Sequence, residues 1–368
     1  MLLFKNCRIF APEELPQHEV IVSGGRIAAI GDGFSLGGIR IETIDLKGAY
    51  LCPGFIDQHV HITGGGGQFG HKSFIPEVTV NGLVAVGTTT VLGLLGTDGF
   101  VKELSTLYSK AKSLDELGLT AYMLTSYYGY PPKTITGSVA EDMIFIDKVI
   151  GCKLAMSDDR SPFPTEEEIL RLVHEIRLGG FTSGKHGILH IHLGNLPTRI
   201  DTIFSIIDKY PSLISYFSPT HTIRTRELFE DCVRFAKRGG KMDISTGGTK
   251  FTSPHEAVGM ALELGAPLEN LTFSSDGCGG VRRENPETGE VTYTPAPLDL
   301  NYKEMVSLVK SNMLPLCDAL KLITSNPASN LSLSSKGRIK EGNDADFVVL
   351  QPDDLSISGV FSKGIKFL

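Results

Sequence analysis

The chain has 368 residues, 41% of them hydrophobic, a formal net charge of −7 and a mean hydropathy of +0.04. This length suits one large domain, or a large domain with a small satellite, around a sizeable core. The spread acidic balance without a basic patch argues against nucleic acid as a partner, and no apolar run is long enough to span a bilayer.

The start, Met1 to Arg8, lacks the basic head, apolar core and small-residue cleavage site of a secretory leader, so the cytoplasm is the expected location. Six scattered cysteines (Cys7, Cys52, Cys152, Cys232, Cys278, Cys317) form no Cys-x-x-Cys pair. Neither a disulfide framework nor a thiolate zinc site is expected.

The first fifty residues read as short strands, Leu2 to Ile9, Glu19 to Ser23, Arg26 to Gly31 and Thr43 to Leu46, parted by Gly-rich turns. The tail matches them in kind: Gly337-Arg338-Ile339, Ala345 to Leu350 and Ser358 to Phe367. A small β-domain, a β-sandwich built from residues 1–50 and 337–368, is therefore expected around a different middle.

Between them, eight apolar runs alternate with helical patterns. They are Ala49 to His61, Thr89 to Gly96, Leu119 to Ser126, Val149 to Met156, Gly187 to Gly194, Ile214 to His221, Lys241 to Thr246 and Leu271 to Gly277. The stretch from Glu166 to Ile176 shows apolar residues at helical spacing. Eight strand–helix units over 51–336 predict an α/β fold, a (β/α)8 barrel of the TIM type. The rival, a doubly wound open sheet, would call for an early Gly-x-Gly-x-x-Gly, which is missing.

Chemistry in such a barrel sits at the C-terminal strand ends. His59 and His61, two apart on one run, face the same side and can grip one metal ion. Lys153 stands in otherwise apolar company, His190 and His192 share a face, His221 ends the sixth run, and Asp276 ends the eighth. Each has a plainer reading: paired surface histidines, a snorkelling lysine, a loop hydrogen-bonder, a helix cap. Of His190 and His192, one can be a ligand with the other behind it. Five strand ends that all deliver metal-competent groups favour a metal centre. A buried ammonium cannot ligate a cation, but carbamylation by CO2 would turn Lys153 into an anionic bridge between two ions.

With these residues assembled, the chain resembles the amidohydrolase superfamily, and within it the bacterial isoaspartyl dipeptidases. Supporting stretches are Pro53 to His61, Gly93-Leu94-Leu95-Gly96-Thr97-Asp98, Thr134-Ile135-Thr136-Gly137-Ser138, Ser274-Ser275-Asp276-Gly277 and Gly342-Asn343-Asp344-Ala345-Asp346. The resemblance implies two Zn2+ per subunit: His59, His61 and Asp276 on one, His192 and His221 on the other, and carbamylated Lys153 between them. It further implies hydrolysis of β-aspartyl dipeptides by a zinc-bridging hydroxide, with Asp276 as the proton carrier. By the same resemblance Tyr128 stabilises the oxyanion, with Tyr127 and Tyr130 as competing candidates. Substrate contacts would come from Gly66, Gln68, Thr97, Arg160, Arg224 and Gly280, and assembly as a homo-oligomer is expected.

Two positions depart from the resembled pattern: Gln68 stands where that family carries a glutamate, and Gly280 where it carries a serine. Arg160 also has Asp158 and Asp159 as ready ion-pair partners. Other amides are therefore alternative substrates: β-aspartyl-arginine or -lysine, N-acyl-amino acids or cyclic amides. A non-catalytic scaffold is the remote alternative, against which every expected ligand position is filled.

Overall fold

The computed structural model describes residues 1–35, 37 and 41–368, so positions 36 and 38–40 of the expected small β-domain lie outside the described residues. Eight strands run parallel in strict sequence order: Phe55–Val60, Thr88–Gly93, Thr120–Ser126, Val149–Met156, Ile188–Leu193, Phe217–Thr220, Met242–Ser245 and Leu271–Ser274. We number them barrel strands 1 to 8. Closure comes at the strand ends, where Val60 bridges Gly277 and His61 N donates to the Gly277 carbonyl at 2.9 Å. Each expected apolar run supplies one barrel strand. A closed barrel leaves no edge, which is why these strands tolerate burial on both sides.

Helices cover the outside of the barrel. The longest, Glu166–Ser183, starts on a capping box in which Thr165 and Glu168 satisfy each other's backbone N–H, and it stops at Gly184 with φ 71°. Ile169, Leu172, Val173 and Ile176 are its buried stripe, the helical spacing seen in the sequence. Among the described residues no helix is long and apolar enough to cross a membrane.

The termini form two further sheets. One has four strands, Arg26–Gly31, Glu19–Ser23, Leu2–Lys5 and Glu42–Asp45 in spatial order. The other has five: Ile365–Lys366, Ile357–Ser362, Phe347–Leu350, Tyr50–Pro53 and Arg8–Ile9. Phe4 from the first sheet packs edge-on against Phe347 and Phe361 of the second, with ring centroids 5.2 and 4.8 Å apart, and their shared core makes the pair a sandwich.

Two expected strands prove to be two strands each. Leu2 to Ile9 breaks at Asn6, whose φ of 53° turns the chain from one sheet to the other. Ala49 to His61 breaks at Gly54: Tyr50–Pro53 pairs with Phe347–Leu350 in the sandwich, and Phe55 opens the barrel. Both halves are apolar because both are buried, so hydrophobicity alone does not show the change of sheet. Gly337-Arg338-Ile339 is not a strand but leads into the turn before Phe347.

Candidate metal centre and substrate pocket

His59 and His61 leave barrel strand 1 on one face, Lys153 lies within strand 4, and His190 and His192 lie on one face of strand 5. His221 and Asp276 follow strands 6 and 8 with φ of 64° and 55°, left-handed conformations that turn both side chains sharply off the strand direction. Such backbone is costly for residues with a Cβ and is often found where a side chain has to be aimed.

These groups converge. His59 Nε2 and His61 Nε2 lie 3.4 and 3.3 Å from Asp276 Oδ1. Donor atoms of His59, His221 and Asp276 all fall within 4.8 Å of one another. His59 Nε2, His61 Nδ1, Asp276 Oδ1 and Lys153 Nζ are buried without a hydrogen-bond partner among the described residues. A buried polar atom left alone costs on the order of 1–3 kcal/mol, more if charged, so four together call for a bound group. Imidazoles, a carboxylate and an amine that can be carboxylated are a donor set for divalent metal ions, and the residues present fit one.

The electrostatics agree. Burial, reinforced by Lys153, holds His59 and His190 well below the usual imidazole value, and burial with His192 does the same to His221. Neutral imidazole is the form that ligates. Burial brings the Lys153 ammonium down to about 7, only partly offset by Asp276 and Asp243. Burial pushes the Asp276 carboxyl up, but the close approach of the His61 imidazole more than offsets this and keeps it ionised.

His192 is placed differently from its expected partners. Its Nδ1 lies 2.6 Å from Tyr128 Oη, and its Nε2 lies 3.0 Å from Asp158 Oδ2. Burial brings its imidazole down to about 3. The ring still stands 4.6 Å from that of His221.

Above these groups opens a cavity of about 490 Å³. Every expected substrate residue lines it: Gly66, Gln68, Thr97, Tyr128, Arg160, Arg224 and Gly280. The Gly66 carbonyl accepts from Thr97 Oγ1 at 3.0 Å, which ties the glycine run to the loop after strand 2. Lys102 Nζ donates to the Thr63 carbonyl at 2.8 Å and also to that of Gly64, holding the same run from outside. Tyr128, not Tyr127 or Tyr130, faces the histidines, and burial keeps its phenol well above the ordinary value.

The two arginines differ. Arg160 is committed to Asp158 through Nε and Nη2, both at 2.7 Å, and gives Nη1 to Gln68 Oε1 at 3.1 Å. The ion pair weighed in the sequence is thus formed, with Asp158 rather than Asp159. Arg224 has an unpartnered Nε and only a 3.5 Å approach to His192.

Three carboxylates matter that the sequence reading did not assign. Buried Asp158 joins Arg160 to His192; these partners outweigh burial and hold its carboxyl well below the usual range. Asp98 lies 3.9 Å from His61 Nδ1. Asp142 accepts from Ile135 N, Thr136 N and Thr136 Oγ1 at 2.8–3.0 Å and also from Thr125 Oγ1, folding the loop that follows Tyr128. The Gly-Leu-Leu-Gly-Thr-Asp and Thr-Ile-Thr-Gly-Ser runs carried the signal for Asp98 and Asp142, but the contacts span strands and needed the fold.

Known proteins resemble this chain in sequence and fold. Residues 186–366 match the model of the amidohydrolase family. A deacetylase of Brucella anthropi is 25% identical over 92% of this chain and 80% of its own length. The solved structure of D-hydantoinase, at 16% identity, shares the fold with a TM-score of 0.68 over 100% of this chain and 95% of that one. The β-aspartyl dipeptidase of the keratin-degrading Fervidobacterium islandicum AW-1, solved in complex with β-Asp-Leu dipeptide, is 40% identical. It superposes with a TM-score of 0.91 over 99% of this chain and 96% of that one. Such identity across nearly the whole of both chains is more than a shared barrel, and this chain belongs to the β-aspartyl dipeptidases of the amidohydrolase superfamily.

Proposed function

We propose that the protein is a metal-dependent dipeptidase that hydrolyses β-aspartyl dipeptides to aspartate and an amino acid. The observation that carries this reading is the convergence of buried, unpartnered atoms of His59, Lys153 and Asp276 beneath a cavity lined by His61, Asp276 and the uncommitted edge of Arg224. Cations and a carboxylate are the groups such a site can take together.

In this reading His59, His61 and Asp276 would hold one zinc ion and His192 and His221 a second, with carboxylated Lys153 supplying ligand oxygens to the pair. Two such ions, when bound, bring the pKa of a water towards neutrality and polarise the amide carbonyl. The chain's own residues do the rest. Lys153, with its ammonium brought down to about 7, offers a free amine to CO2 at neutral pH, forming the carbamate N–C bond and releasing one proton. Asp276, ionised, takes the proton of the attacking water on a carboxylate oxygen and passes it to the nitrogen of the leaving amino acid. Tyr128, kept protonated by burial, donates Oη–H to the carbonyl oxygen as charge develops there. For His192 to hold a cation it must give up one hydrogen bond. Opening the one to Tyr128 also frees that phenol for the substrate.

Arg224 receives the α-carboxylate of the aspartyl unit, since its donors are uncommitted. Arg160 serves Asp158 and so steadies His192. The test is initial-rate hydrolysis by zinc-loaded protein, with bicarbonate present, of β-Asp-Leu beside α-Asp-Leu, β-Asp-Arg and an N-acyl-aspartate. Cleavage of the β-linked dipeptides alone is expected. Turnover of only the N-acyl-aspartate, or of none of the four with two metals bound, would overturn the assignment.

A further inference from the structure

A chain of buried hydrogen bonds runs behind the metal centre. His59 Nδ1 lies 2.9 Å from His190 Nε2, and His190 Nδ1 lies 3.0 Å from Ser218 Oγ. Asn330 Nδ2 reaches Ser218 Oγ at 3.0 Å and Gln58 Oε1 at 2.9 Å, and Gln58 Nε2 donates to Asp243 Oδ1 at 2.7 Å. Asn330 belongs to a short helix after the last barrel strand, so the chain ties that helix to the barrel centre. All six residues are buried.

We infer that His190, held by this chain, is a positioning residue for His59, fixing the ring so that Nε2 points into the centre with its lone pair free. The inference rests on the functional reading above. Asp243 also accepts from Ser274 Oγ at 2.6 Å and Thr272 Oγ1 at 2.9 Å, so a carboxylate there takes Gln58 by its amide nitrogen. Gln58 Oε1 must then face Asn330, which turns its own amide nitrogen to Gln58 and Ser218. Ser218 accepts from Asn330, and its hydroxyl can either accept from His190 Nδ1–H or donate to a bare Nδ1; a cation on His59 Nε2 selects the first. His190 Nε2 is left to accept from His59 Nδ1–H, and His59 Nε2 is left bare. That atom is one of the four buried donors without a partner. The sequence puts His190 and His192 on one face but does not separate their tasks. Here His190 Nε2 is turned to His59, while His192 lines the pocket.

The experiment measures the zinc affinity of the full chain by competition with a chromophoric chelator, with thermal melts of the metal-free proteins as a fold control. His190→Leu keeps bulk but makes no hydrogen bond, whereas His190→Gln places an amide oxygen near the Nε2 position. Asn330→Ala breaks the chain without touching either histidine. Zinc affinity should fall by about 10- to 100-fold in His190→Leu. It should recover most of that loss in His190→Gln and fall in Asn330→Ala. A His190→Leu protein that binds zinc like wild type, or a His190→Gln protein that melts like wild type yet binds as poorly as His190→Leu, would overturn the inference. Should His190→Leu fail to fold, wild-type affinity in Asn330→Ala would overturn it. Wild type binding no zinc would instead sink the functional reading itself.

Discussion

Gln68 Nε2 donates to the Gly280 carbonyl at 3.3 Å, so the two positions that depart from the isoaspartyl dipeptidase pattern touch each other across the pocket mouth. The other end of the same carboxamide accepts from Arg160 Nη1 at 3.1 Å. One donor end and one acceptor end are what these two neighbours require. A Cβ on Gly280 would lie 2.9 Å from Gly66 Cα, so the absence of a side chain there lets the glycine run approach. The two departures are one local arrangement.

A carboxylate at 68 would keep the Arg160 contact but present no donor to Gly280, while adding negative charge to the pocket. For substrates with a free α-ammonium, Gln68→Glu should lower KM for β-Asp-Leu by roughly fivefold, about 1 kcal/mol, the usual excess of a charged over a neutral hydrogen bond. kcat should change little, because the contact is present before and during the reaction. Steady-state kinetics decide it: an unchanged or higher KM would mean that position 68 does not face the ammonium.

The arginines should separate in the same assay. Arg224→Met removes the uncommitted guanidinium and should raise KM for β-Asp-Leu by about 10- to 100-fold with little loss of thermal stability. Arg160→Met strips the buried Asp158 carboxylate of its guanidinium and leaves it with His192 and the backbone N–H of residue 160. It should cost about 1–3 kcal/mol of stability as well as activity, read by denaturant melts. Equal effects on KM and equal stabilities would refute the division of labour.

How much of this was legible in the sequence follows from what each feature depends on. The barrel was legible because burial on both sides makes each strand a short apolar run, and a histidine, lysine or aspartate inside such a run stands out. His59, His61, Lys153 and Asp276 were found this way, and they converge. Change of sheet at Gly54 was hidden because the segments on either side are equally apolar. Partner choice was hidden too. The sequence offers Arg160 both Asp158 and Asp159, and only the fold shows that Asp158 takes it while Arg224 stays uncommitted. Asn330 carried no signal at all, since its partner Gln58 is 272 positions away.

On the proposed reading, carboxylation of Lys153 should make zinc uptake dependent on dissolved CO2. With the ammonium brought down to about 7, the amine is increasingly unprotonated as pH rises from 6 to 8, and so increasingly able to be carboxylated. Chelated protein given zinc in CO2-depleted buffer should regain activity slowly or in part. Added bicarbonate should restore it, and more so at pH 8 than at pH 6. Labelling with 13C-bicarbonate should yield one carbamate carbon signal that Lys153→Met lacks. Full reactivation without CO2 would rule out the bridge.

Lys336 sits at the seam between sandwich and barrel. Lys336 Nζ donates to Asp346 Oδ2 at 2.6 Å and to Thr120 Oγ1 at 2.8 Å, and it lies 2.9 Å from Asp344 Oδ2. Thr120 opens barrel strand 3, so one ammonium ties the return segment of the sandwich to the barrel. Burial pulls this ammonium down, but the charges and hydrogen bonds of Asp346 and Asp344 outweigh it and leave it above the usual lysine value. The sign follows from linkage: the folded state binds the proton more tightly, so the contribution is complete below the unfolded lysine pKa of about 10.4 and is lost as pH rises through the higher folded value. Lys336→Met would take the ammonium from two carboxylates at the seam, one of them buried. It should lower stability by about 3–5 kcal/mol at pH 7. The difference between wild type and variant should hold steady from pH 7 to 9 and shrink only above about pH 10.4, as the wild-type ammonium itself titrates. Denaturant melts across that range test both size and sign. A gap that closes between pH 7 and 9 would mean that Lys336 is not held charged by its aspartates.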